Sequence, residues 1–170
     1  VYKLELLMKQ AKINTGMRRV IAPCMERASL IQAPAAAIEL SDGTLVTGKT
    51  SNLLGASAAV LLNSIKMLGG IPHDQHLIAP SAIEPIQTLK TNYLGSRNPR
   101  LHTDEVLIAL SMSAVTNPTA ELAMEALAGL RGSEVHSSVI LSPVDENVFK
   151  KLGANVTFEP VYQTHSLYHK

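Results

Sequence analysis

Apolar positions recur along this chain at two spacings, helical and alternating, and the switches between them predict its elements. Leu4, Leu7, Met8 and Ala11 lie at helical spacing with Lys9, Gln10 and Lys12 opposite, and Asn14-Thr15-Gly16 ends that helix. Ile21, Cys24, Met25 and Ala28 predict a second helix, with Pro23 tolerated in its first turn. The apolar run 35–40 leads into Ser41-Asp42-Gly43, and β-prone residues follow over 44–47. Asp-Gly between such runs predicts a hairpin, because glycine accepts the positive φ of a tight turn. A helix is expected over about 52–68, stopped by Gly69-Gly70. Leu54, Ala58, Leu61, Leu62, Ile65 and Leu68 leave it little polar face, so it should be covered on most sides.

Farther along, 76–79 reads as a short buried strand, and Ser81 with Glu84 has the spacing of a capping box for a helix reaching about Asn92. A polar loop over 95–100 precedes Thr103, which is expected to cap a helix that is apolar over 106–115. Asn117-Pro118 starts another. Val135, Val139 and Leu141, with Ser137 on the same face, predict a strand. Ser142-Pro143 opens a helix that closes at Leu152-Gly153, and Val156 and Phe158 form a last strand. Strand, helix and strand in so short a span predict a βαβ crossover and therefore a parallel pair. The expected fold class is α/β: a small mixed sheet with one hairpin and one crossover, packed with helices. Residues 1–33 read as a helical connector from a preceding N-terminal portion, and 34–170 as a C-terminal α/β domain with a helical segment over 81–131. Because the chain runs from Val1 straight into an amphipathic helix, a fragment of a longer protein is expected.

Composition narrows the function classes. With 46% apolar residues in 170, the chain is long and apolar enough to fold around one core. The net charge of +1 has no basic run behind it, and tryptophan is absent, so no nucleic-acid partner is expected. The longest apolar stretch, 106–115, is too short to cross a bilayer and is broken by Ser111 and Ser113, so no membrane partner is expected either. The single Cys24 cannot pair internally, which favours a reducing, cytoplasmic setting, and its place on an apolar helical face reads as core.

The residues 43–50, Gly-Thr-Leu-Val-Thr-Gly-Lys-Thr, match the P-loop pattern. Their four intervening residues prefer extended backbone, whereas a phosphate loop turns its amides inward, so the hairpin reading is the stronger. What remains of the motif is a helix start. Gly48, Lys49, Thr50 and Ser51 would bring free amides, two hydroxyls and an ammonium together, a setting that attracts phosphate or carboxylate. The plainer alternative has Ser51 or Asn52 capping the helix while Lys49 points to solvent. A second candidate is Ser113, Thr116 and Asn117, which with Ser111 interrupt an apolar segment ahead of a helix start. Its alternative is a helix–helix turn with its caps. If the two segments face each other they form one pocket. His73 and His76 straddle a turn with no third ligand nearby, so no metal is assigned. His102 belongs to a helix start, and His136 on a strand reads as a satisfied interior histidine. Glu84, Glu121 and His136 are nominal acid–base candidates, no Gly-x-Ser-x-Gly elbow is present, and no cofactor is assigned.

Three stretches, APAAAIELSDGTLVTGKTSNLLGASAAVLLNSIK, HLIAPSAIEPIQTLKTNYLGSRNPRLHTDEVLIALSMSAVTNPTAELAME and KLGANVTFEPVY, together with the tail around Leu167-Tyr168, resemble the C-terminal part of a bacterial family. It is the family catalogued as domain of unknown function eighteen-forty-six. The resemblance implies a longer chain whose N-terminal portion carries its own Pro-Gly-Ser-Gly-Lys stretch, and Lys170 as the natural end. It also implies a three-layer α/β architecture similar to the cytidine-deaminase topology, and it brings no activity. Zinc deaminases need His-x-Glu and Pro-Cys-x-x-Cys. Here Thr50-Ser51-Asn52 leads into the corresponding helix and the lone Cys24 precedes the sheet, so that chemistry is excluded. The leading functional expectation is a domain that binds a small anionic ligand at the Lys49–Ser51 helix start. The rival is an assembly module whose apolar helices over 106–115 and 120–130 meet the N-terminal portion or a second copy in a homo-oligomer. A third is part of an enzyme acting on phosphorylated small molecules.

Overall fold

The Asp42-Gly43 turn sets the register of the sheet. Gly43 adopts φ +90°, Asp42 Oδ1 accepts the Thr44 amide at 2.9 Å, and the Leu40 amide donates to the Thr44 carbonyl at 2.8 Å. The turn joins β1 (Ala35–Glu39) to an antiparallel β2 (Leu45–Lys49), with Ala37 opposite Thr47. The computed structural model describes residues 18–162, so the helix expected around Leu4 lies outside the described residues. Around the hairpin are α1 (Ile21–Ile31), α2 (Ala56–Leu68), α3 (Pro80–Thr88), α4 (Thr103–Ser113), α5 (Pro118–Ala126), β3 (Glu134–Ser137), α6 (Pro143–Lys151) and β4 (Asn155–Phe158). The strand order is β2-β1-β3-β4. β1 is antiparallel to both neighbours, and β3 and β4 are the parallel pair that the strand–helix–strand pattern predicts, joined by α6.

Alternation along β1 feeds two layers of packing. Ala36 and Ile38 join the larger core with Leu61 and Ile65 of α2, whereas Ala37 faces α1 and packs with Val20 and Cys24. Cys24 is fully buried, and that burial first, then the nearby Glu159, pushes its thiol up to about 12. It is a core residue, as its helical face suggests. Among the described residues no helix is long and apolar enough to cross a membrane.

The P-loop-like residues are the second hairpin strand. Gly48 is needed there for contact: a Cβ on it would lie 2.3 Å from the Val60 nitrogen and 2.6 Å from the Val60 Cα. β2 and α2 therefore meet backbone to backbone at this point.

Several boundaries differ from the sequence reading, each for a physical reason. α2 begins at Ala56, not near 52. The preceding residues are held extended by Leu101, whose amide donates to the Leu53 carbonyl at 3.0 Å and whose carbonyl accepts the Gly55 amide at 3.2 Å. The segment 76–79 buries Leu77 and Ile78 but forms no strand, because its backbone bends instead of pairing. The Ser81–Glu84 capping box does not form: α3 starts at Pro80, with Ala79 in the N-cap position and no side-chain cap. Beyond Thr88 the chain widens into a π turn, Leu89–Tyr93, closed by the Leu94 amide on the Leu89 carbonyl at 3.0 Å. Thr103 is the first helical residue of α4, and His102 takes the capping position. β3 stops at Ser137, whose hydroxyl donates to the Val139 carbonyl at 2.8 Å and turns the chain. Val139 and Leu141 are buried in the loop that follows.

Candidate anion-binding site

Three helices begin around one cavity of ≈ 420 Å³, beyond the C-terminal end of β3. Crevices at the carboxyl ends of strands are where open α/β sheets hold ligands. The start of α2 is the least satisfied of the three. Gly55 supplies no side-chain cap, and the first amides of a helix have no partner within it. Ser57 lies in this first turn and lines the cavity. It is 7% exposed, and its hydroxyl has no hydrogen-bond partner among the described residues. Ser64 and Ser113 return their hydroxyls to carbonyls four residues back, at 2.7 and 3.0 Å. Ser57 sits too close to the helix start to do the same.

The other two starts are tied together by one carboxylate. Ser142 Oγ accepts the Asp145 amide at 3.1 Å, which caps α6. Asp145 Oδ1 in turn accepts the Thr103 amide at 3.0 Å and the Thr103 hydroxyl at 2.6 Å, which secures the first turn of α4. Its second oxygen stands 3.7 Å from His102 Nδ1, an ion-pair contact longer than a hydrogen bond. Burial, the largest influence on Asp145, pushes its carboxyl up. His102 and Thr103 outweigh it and hold the carboxyl below the usual carboxylate range. The same carboxylate raises His102 above the ordinary histidine value, against desolvation and the Lys90 charge.

Arg100 brings a buried guanidinium to the wall, its Nε donating to the Ser51 carbonyl at 2.5 Å. Lys90, from the π turn, positions this stretch. Its ammonium donates to the Arg100 carbonyl at 2.6 Å and to Glu105 Oε1 at 2.8 Å, while Glu105 accepts the His102 amide at 2.8 Å. A π turn beside a site is a recurring arrangement. Lys90→Met should destabilise the fold by about 2 kcal/mol, since the half-buried Glu105 and the Arg100 carbonyl both lose a donor. Urea unfolding checks this, and an unchanged midpoint would show the network to be dispensable.

Of the residues the sequence singled out, Thr50 lines the cavity. Gly48 and Lys49 are the last residues of β2, Gly48 buried and Lys49 exposed. The Ser51 hydroxyl accepts the amides of Leu53 and Leu54 at 3.2 and 3.1 Å. At the far end of α4, Ser113 bonds its own helix, Thr116 is exposed, and Asn117 Oδ1 caps α5 by accepting the Thr119 amide at 3.0 Å. The two predicted segments do not share a pocket. The cavity lies at the start of α4 and Ser113 at its end, 11 residues or roughly 16 Å away. His73 and His76 are exposed. His136 is a satisfied interior histidine on the α1 side of the sheet. Its ring nitrogens lie 2.7 Å from Thr157 Oγ1 and 3.1 Å from Glu159 Oε1, and burial lowers its pKa. Arg18 completes that cluster, bonding Thr157 and pairing with Glu134 at 2.8 Å.

Sequence reasoning missed Ser57, Lys90, Arg100 and Asp145. One signal was available for the first of these. Gly55 directly precedes an apolar helix, a start that lacks a capping side chain.

Comparison with known proteins supplies a family. The model described as domain of unknown function DUF1846, C-terminal, matches residues 16–168. A UPF0371 protein of Corynebacterium glutamicum (strain R) is 53% identical over 168 residues, covering 99% of this chain and 34% of that relative. A UPF0371 protein of Streptococcus pyogenes serotype M5 (strain Manfredo) is 51% identical over 170 residues, again 34% of its length. The chain thus spans about a third of these relatives, whose proteins carry a further portion to which a C-terminal domain is joined. The chain belongs to the family described as domain of unknown function DUF1846, C-terminal.

Proposed function

We propose that this domain binds a small anionic ligand in the cavity where α2, α4 and α6 begin, as one part of a longer protein of the cytoplasm. The observation that carries the reading is the start of α2. The unpartnered hydroxyl of Ser57, a residue nine-tenths buried, and the uncapped first-turn amides open on the same cavity, which Arg100 also lines. Such a start attracts anions through its free amides and the helix dipole. Thr50 is the part of the predicted Gly48–Ser51 segment that joins this site. The topology suits a deaminase-like sheet without its metal motif, with β1 antiparallel to both neighbours and a helical crossover behind. The experiment is calorimetric titration of inorganic phosphate into the protein and into Ser57→Ala. Binding about tenfold weaker in the variant is expected, the loss of one hydrogen bond to a charged group. No binding, or equal affinity in both, would remove the reading.

An assembly role is a second reading, favoured by a separate face. Ile108 and Met112 of α4 and Val115 in the turn that follows it are 60%, 70% and 83% exposed, and Leu122 of α5 is 44% exposed. An apolar stripe of this kind commonly marks an interface. The preceding portion of the longer chain and a second copy of this domain are the two surfaces suited to cover it.

A further inference from the structure

His102 and Asp145 both line the cavity, one as the capping residue of α4 and the other in the first turn of α6. Their facing atoms, Nδ1 and Oδ2, lie 3.7 Å apart, and the two side chains are held very differently. Asp145 is buried, and its other oxygen is fixed by the Thr103 amide and hydroxyl. Its carboxylate therefore stays in the wall whatever its partner does. The His102 side chain is 38% exposed, so it can exchange a proton with solvent.

One proton then sets the summed charge of the pair. With His102 protonated the sum is zero. With His102 neutral, an uncompensated carboxylate stands in the wall that Ser57 shares. Besides Asp145, the charges facing His102 are Lys90 of the π turn and Glu105 of α4, which are paired with each other at 2.8 Å. Arg100, two residues back, is bonded to the Ser51 carbonyl.

Resting on the anion reading above, we infer that the cavity takes up its anion together with a proton, which His102 holds against Asp145. A dianion enters while His102 is charged and is repelled by Asp145 once His102 is neutral. Linkage makes the effect reciprocal, so a bound anion tightens the hold of His102 on its proton. Asp145 already favours the charged imidazole, which moves the change to the alkaline side of the ordinary histidine value.

The test is calorimetric titration of sulfate into the full-length protein from about pH 5.5 to 9, alongside His102→Gln and Ser57→Ala. Sulfate keeps its double charge over that range, whereas phosphate changes its own charge near neutrality. Affinity in the parent should fall about tenfold from the acid to the alkaline end. Two buffers of different ionisation enthalpy should reveal net proton uptake on binding, largest near the midpoint of that fall. His102→Gln should bind at every pH about as weakly as the parent does at the alkaline end, without uptake. Ser57→Ala should bind more weakly throughout, which places the signal in this cavity. An affinity that does not vary with pH, or a fall and uptake that survive in His102→Gln, would overturn this inference and leave the anion site standing. Absence of proton uptake in the parent would overturn it as well, even if His102→Gln fails to fold. No sulfate binding at any pH, or affinity unchanged in Ser57→Ala, would remove the site and this inference together.

Discussion

Gly48→Ala should destabilise this domain by about 3 kcal/mol or more, seen as a lower urea midpoint. The new methyl carbon would stand 2.3 Å from the Val60 nitrogen and 2.6 Å from its Cα, both backbone atoms of α2. A flexible side chain could swing aside from such a contact, but a helix backbone can only move as a unit. Shifting α2 off β2 would part Leu61 and Ile65 from Ile38, residues fully buried in the main core. Gly55→Ala gives the contrast, since the nearest atom to its added methyl is the Leu101 carbonyl oxygen at an ordinary 3.8 Å. That variant should stay within about 1 kcal/mol of the parent. If Gly48→Ala unfolds at the parent's midpoint, the backbone contact between β2 and α2 is not as close as described.

Asp145→Ala should cost about 3 kcal/mol, because one buried carboxylate serves the Thr103 amide, the Thr103 hydroxyl and His102 together. The pH dependence carries a sharper signature. The Asp145 carboxyl is held below its ordinary value when folded, so its contribution is present above about 3.9 and fades as pH falls through the folded value. His102 is raised when folded. Its contribution is complete below about 6.5 and fades as pH rises through the elevated value. The pair therefore supports the fold most between about pH 4 and 6.5. Stability measured across pH should show both declines in the parent. In Asp145→Ala the decline on the alkaline side should be gone, since His102 has lost the charge that raised it. A parent and variant with parallel profiles would show that the two residues are not coupled.

Local chemistry explains which parts of this fold were legible. The hairpin, the Asn117 and Ser142 caps and the parallel crossover all rest on short-range rules of turn geometry, capping and spacing, and each formed where those rules place it. Helical spacing likewise marked α1 and the buried Cys24. The late start of α2 depends on a residue distant in sequence. Leu101 holds Leu53 and Gly55 extended and so delays α2. No reading of the segment around Ser51 contains that information. The candidate site was harder still. Its polar groups come from the first turn of α2, the π turn, the start of α4 and the start of α6, and none is unusual within its own segment. Ser57 resembles any small helical residue until the folded neighbours show that its hydroxyl bonds no other described residue. The glycine–lysine–threonine run was conspicuous in sequence for a different reason, since Gly48 is required by Val60 across the packing.

The cavity is walled by passages that the chain visits far apart: the first turn of α2, the stretch through Arg100 and His102, and the loop from Ser137 into Asp145. No local segment can form it alone, so it comes into being only when the hairpin, the helical excursion and the C-terminal crossover have all docked. Occupancy and folding are then the same equilibrium viewed from two sides. A ligand present at about a hundred times its dissociation constant would add roughly 2.7 kcal/mol to the whole domain by mass action. That stabilisation would be shared by residues that never touch it, Gly48 and Cys24 among them.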